Sequence, residues 1–306
     1  MLTLPCVRHF IGYLLKVGIK VKFWGVRGSI PTPGVKYIKY GGNTPCVEVR
    51  LPNNQLFIFD AGTGIRELGN VLCKGERKLK VHIFLSHFHW DHIQGLPFFM
   101  PSYIEGNEIV ILGMDLQEAR LDRIISNQME SIYFPVKLQS LSAHLKFQIL
   151  SEGRNIIDGS KVDTMYINHP GQAMGYVVTF GKTKICYFTD NELVPSWANE
   201  TFRLKYKSDI REKILKLISG ADLLIHDAQY TEEEYKTKVG WGHSPLSEVL
   251  NLAKAGRVNR LALFHHDPDH FDEQIDIFAA NCKENLNGSY HHMECFAAQE
   301  GMELHF

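Results

Sequence analysis

Three histidines and an aspartate fall within six residues in the run Ser86-His87-Phe88-His89-Trp90-Asp91-His92, directly after the apolar stretch Lys80–Leu85. Imidazole nitrogens and carboxylate oxygens are ligands for divalent transition metals. In extended chain, residues two apart point the same way, so His87 and His89 can grip one ion. Asp91 and His92 follow on the turn, displaced enough to serve a second. A lone histidine is usually a surface or core residue, but four ligand-type side chains packed this closely behind a strand point to metal. Four further apolar runs end alike: Lys161–Ile167 in Asn168-His169, Lys184–Phe188 in Thr189-Asp190, Leu223–Ile225 in His226-Asp227, and Arg260–Phe264 in His265-His266-Asp267. A core strand has no use for such endings, because burying an unpaired polar group costs a few kcal/mol. If the sheets bring these ends together, one edge of the molecule carries a cluster of imidazoles and carboxylates.

The elements that must position these ends are read from short β-rich runs stopped by Gly, Pro, Asn, His or Asp. Further strands are expected at Ile19–Trp24, Thr44–Arg50, Gln55–Phe59, Glu108–Leu112, Leu145–Ile149, Met174–Phe180 and Cys295–Ala298. Helices are expected at Ile65–Lys74, Asp115–Ser131, Arg211–Ser219 and Pro245–Ala255. The last is bounded by Ser244 as N-cap, Pro245 at the first helical position and Gly256 at the end. Strands dominate both halves with helices between them, which predicts an α/β fold of two packed sheets with helices outside. No repeat or linker divides the chain, so residues 19–306 are expected to form one domain behind an extension at 1–18.

Composition excludes other classes. With 306 residues, 44% hydrophobic and 22% charged, the chain is neither disordered nor fibrous. Its net charge is -1, from 33 basic and 34 acidic residues, so no overall basic excess points to duplex nucleic acid. No apolar run approaches the ~20 residues of a membrane span. The N-terminal apolar stretch Phe10–Leu15 is short and lacks a small-x-small cleavage site, which reads against a secretion signal. The six cysteines (Cys6, Cys46, Cys73, Cys186, Cys282, Cys295) form no CxxC pair. They are expected to be reduced thiols of a cytoplasmic protein.

HxHxDH after a strand, with a later His, Asp and strand-end His, resembles the metallo-β-lactamase superfamily, over about Ile19 to Phe306. Phe59-Asp60-Ala61-Gly62-Thr63-Gly64 resembles its early Asp-containing strand-turn. The resemblance implies an αββα sandwich of two mixed sheets and two divalent cations at one edge, Zn²⁺ or Mn²⁺. His87, His89, His169 and Asp190 would hold one, and Asp91, His92, Asp190 and His265 the other, with Asp190 bridging. His265 is chosen over His266 because it stands at the strand-end position. Asp60 is a candidate to orient a ligand imidazole. Relatives with a cysteine in the second site, or a glutamate where His89 stands, match less well, whereas thioesterases share the ligand set.

Downstream, Ala221–Ala228, Gly242-His243-Ser244-Pro245 and Leu261–His265 resemble the ribonuclease Z and phosphodiesterase branch. That likeness implies His243 as proton donor supported by Asp227, with Asp91 beside the attacking water. Only twenty residues separate His169 from Asp190. They read as two strands and the turn Gly181-Lys182-Thr183, which leaves no room for the arm that holds tRNA in ribonuclease Z. Phe23–Gly34 and Tyr40–Thr44 resemble the cyclic-phosphodiesterase subgroup, though Gly, Pro and Asn there are turn formers first. Arg27 reads as structural more readily than as a phosphate contact. The expected activity is hydrolysis of a small phosphodiester such as a cyclic nucleotide or cyclic phosphate. The alternatives are a ribonuclease Z-type endonuclease, a thioester or lactone hydrolase, and a non-catalytic nucleotide sensor. Family likeness alone implies a homodimer.

Overall fold

A computed structural model of the chain describes residues 18–75, 78–193, 210–286 and 293–306. Most of the expected N-terminal extension, including Cys6, lies outside the described residues. The first half supplies β1 (Lys20–Gly25), β2 (Cys46–Arg50), β3 (Leu56–Phe59), β4 (Lys80–Phe84), β5 (Glu108–Gly113) and β6 (His144–Ile149). The second supplies β7 (Gly153–Ile157), β8 (Ser160–Ile167), β9 (Ala173–Phe180), β10 (Thr183–Phe188), β11 (Leu223–Asp227), β12 (Arg260–Phe264) and β13 (Glu294–Ala297). The last strand, β14 (Glu303–His305), returns to the first sheet, whose order is β14-β1-β2-β3-β4-β5-β6; the other is β13-β12-β11-β10-β9-β8-β7. Both are mixed. Pairing is parallel from β3 to β6 and from β10 to β13, and antiparallel elsewhere.

Parallel neighbours need crossovers, and helices provide them. They are α1 (Gly64–Leu72), the one-turn α2 (Trp90–Ile93), α3 (Leu121–Gln128), α4 (Ile210–Ile218), α5 (Glu232–Lys238), α6 (Leu246–Ala255) and α7 (Asp272–Glu284). Strands β3 and β11 are buried at every residue, the pattern of a strand covered on both faces. Strand β1 alternates, turning Val21 and Phe23 inward and its lysines outward. A central core that includes Phe57, Phe59, Phe84, Tyr176, Tyr187 and Phe264 fills the space between the sheets. Separate apolar clusters seal α1 and α3 onto the first sheet and α4, α6 and α7 onto the second. The expected αββα layering is what the structure shows.

Topology also sets which strand ends meet. The carboxyl ends of β3 and β4 share one edge of the first sheet, and those of β10, β11 and β12 share one edge of the second. Strand β8 lies two antiparallel steps from β10, so its end points the same way. The Met174 amide donates to the Ser86 carbonyl at 2.8 Å, and the Tyr176 hydroxyl donates to the Leu85 carbonyl at 2.5 Å. These bonds fasten the two edges together.

Several expectations need correction. The helix expected over Asp115–Ser131 is confined to Leu121–Gln128, because Asp115 turns its carboxylate back onto the Leu121 amide. Helix α6 begins at Leu246 with Pro245 as its N-cap residue. Ser244 is instead drawn away, its hydroxyl donating to the Asn191 carbonyl and accepting from the Leu193 amide. Cys282 and Cys295 are joined in a disulfide, with Cα atoms 6.1 Å apart, so the expectation of reduced thiols fails for this pair. Helix α7 packs beside β13, and that proximity leaves no spacing signal. Cys46, Cys73 and Cys186 are free.

Candidate metal centre

The strand ends converge. His87, His89, His169 and Asp190 offer ligand atoms that all lie within 4.8 Å of one another, and so do Asp91, His92, Asp190 and His265. Asp190 belongs to both groups. Its Oδ2 lies 3.5 Å from His87 Nε2, 3.3 Å from His92 Nε2 and 3.8 Å from His169 Nε2, while Oδ1 lies 3.2 Å from His265 Nε2. Each carboxylate oxygen thus faces a different set of rings.

The backs of the rings fix their tautomers. His92 Nδ1 donates to Asp60 Oδ2 at 2.7 Å, and His169 Nδ1 to the Gly242 carbonyl at 3.1 Å. His265 Nδ1 faces Gln229 Oε1 at 3.3 Å. Ser86 Oγ donates to Asp60 Oδ2 and therefore accepts from His87 Nδ1 at 3.0 Å. His87 and His169 consequently aim Nε2 lone pairs inward, the Nε2 atoms of His92 and His265 face the carboxylates of Asp91 and Asp190, and His89 Nδ1 lies 3.0 Å from His169 Nε2. His87 Nε2 is buried with no partner of its own. Imidazole nitrogens and carboxylate oxygens gathered this closely, one of them buried without a partner, suit a cation among them, and the all-nitrogen-and-oxygen donor set suits Zn²⁺ or Mn²⁺. The residues present fit a pair of divalent cations.

Electrostatics divide the two groups. Burial holds His87 well below the usual imidazole range, lowers His89 and brings His169 down to about 4, so these rings stay neutral as ligation requires. Burial also opposes charge on His92 and His265, but Asp91 and Asp190 overcome it and raise both. That end attracts positive charge. The two aspartates sit well below the ordinary carboxylate range because His92 and His265 outweigh their burial.

The backbone is bent to reach this arrangement. Asp60, Asp190 and His265 have φ of 60°, 45° and 58°, the left-handed region that non-glycine residues avoid. Ser29, at φ 63°, donates its amide to Asp91 Oδ2 at 2.8 Å. A Cβ on Gly28 would stand 2.5 Å from His265 Nδ1, and one on Gly242 would stand 2.0 Å from His169 Nδ1.

A model of the beta-lactamase superfamily domain matches residues 56–266, which contain all of these ligands. The chain belongs to the beta-lactamase superfamily. It is a metal-dependent hydrolase. Ribonuclease Z of Staphylococcus saprophyticus is 22% identical over 304 residues, covering 87% of this chain and 94% of that one. The metallo-β-lactamase fold protein YhfI of Bacillus subtilis has a TM-score of 0.66 at 16% identity, over 94% of this chain and all of that one. A diphosphatase of the PhnP family has a TM-score of 0.65 at 17% identity, over 94% and 98% of the two chains.

Within this superfamily member, other expected residues land differently. The His243 ring stacks on His265 with centroids 5.0 Å apart and meets His169 at 5.4 Å; its Nδ1 is buried without a partner. Asp227 does not hydrogen-bond that ring. Its carboxylate accepts from the Ser244 amide at 2.9 Å and the Asn191 amide at 2.7 Å, so it can steady His243 only through the neighbouring backbone. Burial and the charge of Asp190 push Asp227 up to about 8. His226 turns to Asn191, and His266 donates to the Ala298 carbonyl at 2.9 Å; neither joins a ligand group. The buried Arg27 is structural, spending its donors on the carbonyls of Gly41, Asp267 and His270. Sequence reasoning missed Ser86, Tyr187, Gln229 and Glu192. Ser86 adjoined the motif, while the other three are brought in by tertiary packing alone.

Proposed function

We propose that the chain is a binuclear phosphodiesterase acting on a small phosphodiester, a cyclic nucleotide or cyclic phosphate, with the ligand groups and bridging Asp190 described above. The observation that carries this reading is His243: a buried imidazole with a partnerless nitrogen, stacked on a ligand ring. A metal-binding module has no need of it, whereas hydrolysis needs a proton for the departing oxygen. Two divalent cations, when bound, would screen phosphoryl charge and lower the pKa of a water toward neutrality. Asp91, held by the Ser29 amide, would orient an attacking water. Burial disfavours the protonated form of His243, and the negative charge of an incoming phosphodiester would oppose that effect beside the leaving group. Asp227 steadies the His243 segment through Ser244.

The span between His169 and Asp190 is filled by the β9–β10 hairpin, whose two-residue turn is Gly181-Lys182. That leaves no inserted arm and favours a small substrate. A second reading, RNA processing, is favoured by relatives named ribonuclease Z that align along most of this chain.

Hydrolysis of bis(p-nitrophenyl) phosphate tests the proposal. Asp190→Ala should strip metal and abolish turnover. His243→Ala should keep metal and lose about 10²–10⁴ in rate, the worth of a general acid. Fewer than two metals per chain, with no turnover after Zn²⁺ or Mn²⁺ is supplied, would overturn it. A panel of cyclic nucleotides, thioesters, lactones and precursor tRNA separates the readings.

A further inference from the structure

Trp241, an aromatic neighbour of the site, has no role in the chemistry above. Trp241 is 60% exposed between Gly240 and Gly242, which adopt φ of 91° and 93°. Its loop is nevertheless fixed from beneath. The buried Glu192 carboxylate accepts from the Gly240 amide at 2.7 Å, the Gly242 amide at 2.9 Å and the Tyr235 hydroxyl at 2.7 Å. Backbone amides gathered on one anion make a rigid concavity, here built around a residue that points outward. The same loop contacts the metal centre, through the Gly242 carbonyl on His169 and through His243. Lys238 Nζ lies 5.9 Å from the Trp241 ring centre and 4.5 Å from that of Tyr230, whose ring meets His243 edge-on at 5.9 Å. The buried Tyr230 ring and the Lys238 ammonium, which also pairs with Asp267 at 3.2 Å, therefore link His243 to the exposed indole. An exposed indole on a fixed loop presents a flat π-face on which a ring can stack.

We propose that Trp241 is the platform on which a nucleobase of the substrate stacks, so that the phosphodiester cleaved is that of a nucleoside and not of a base-free sugar. This rests on the phosphodiesterase reading. Every base has a π-face, so stacking selects for the presence of a base more than for its identity. The base belongs either to a mononucleotide or to an RNA strand.

Calorimetric binding of adenosine 5′-monophosphate and ribose 5-phosphate to the metal-loaded protein tests the platform without turnover. The wild type should prefer the nucleotide. Trp241→Ala should lose about tenfold in its affinity, about 1.4 kcal/mol, Trp241→Phe should retain most of it, and ribose 5-phosphate should bind all three alike. Equal binding of the two ligands by the wild type overturns the proposal. So does an unchanged nucleotide affinity in Trp241→Ala, including the case where only its oligomeric state changes and Trp241 is a contact between copies. Faster turnover of a 2′,3′-cyclic mononucleotide than of a single-stranded RNA assigns the base to the small substrate, and the reverse assigns it to RNA. Failure to cleave bis(p-nitrophenyl) phosphate would instead count against the phosphodiesterase reading alone.

Discussion

Asp60 touches no expected substrate position, yet it organises the side chains behind the ligands. One carboxylate accepts from the Ser86 amide, the Ser86 hydroxyl, His92 Nδ1 and the Tyr187 hydroxyl, all between 2.7 and 2.8 Å. An amide in its place has one acceptor oxygen and two unwanted donors. Asp60→Asn should therefore destabilise the fold by about 1–3 kcal/mol, the penalty for an unsatisfied buried group. It should also weaken metal binding about 10–100-fold, as loss of a partner behind a ligand histidine typically does. Competition with a coloured chelator reads the second effect and urea denaturation the first. Unchanged affinity in the folded variant would mean that His92 does not need Asp60 to hold its tautomer. The residue scale was legible where ligands adjoin in sequence, as at His87–His92. Glu192, Gln229 and Tyr187 have no such signal, because their partners lie in other strands and loops.

At the scale of elements, two glycines divide the centre. The Gly28 segment after β1 closes on His265, and the Gly242 loop before α6 closes on His169. Gly242→Ala adds a clash and strains a residue at φ 93°, so it should deplete metal from the group containing His169 first. Gly28→Ala should deplete the group containing His265 first. Co²⁺-substituted absorption spectra distinguish the two sites, and identical losses in both variants would contradict this division. Strands with continuous apolar runs were readable with bounds shifted by a residue or two. Those missed, β7 and β14, lie at sheet edges, where exposed polar residues break the pattern. The one-turn α2 and helices α5 and α7 were also missed. The sequence Glu232–Lys238 is almost wholly polar, and α7 buries only Ile275, Phe278 and Cys282 of its thirteen residues.

For the whole molecule, the αββα sandwich followed from the alternation of strand and helix runs, whereas the covalent link between α7 and β13 did not. The bond between Cys282 and Cys295 closes a loop of sequence separation 13 and restrains the unfolded chain. Its removal in Cys295→Ala should lower stability by about 3 kcal/mol, measured by denaturant unfolding without reductant. Equal stability of the two proteins would show that the link contributes little. Among the described residues no helix is long and apolar enough to cross a membrane.

The three left-handed backbones at positions 60, 190 and 265 have a wider consequence. Position 60 repays its strain through the four hydrogen bonds of Asp60, but at position 190, whose side chain serves the ligand groups, the backbone would rest more easily with glycine, so this protein is held below the stability that its own scaffold permits. With chelator present, Asp190→Gly should melt at or above the temperature of the parent while binding no metal; a lower melting point would refute that. A lineage relieved of the reaction would find a ready stabilising mutation at position 190, and the first thing it would shed is its ability to turn over anything.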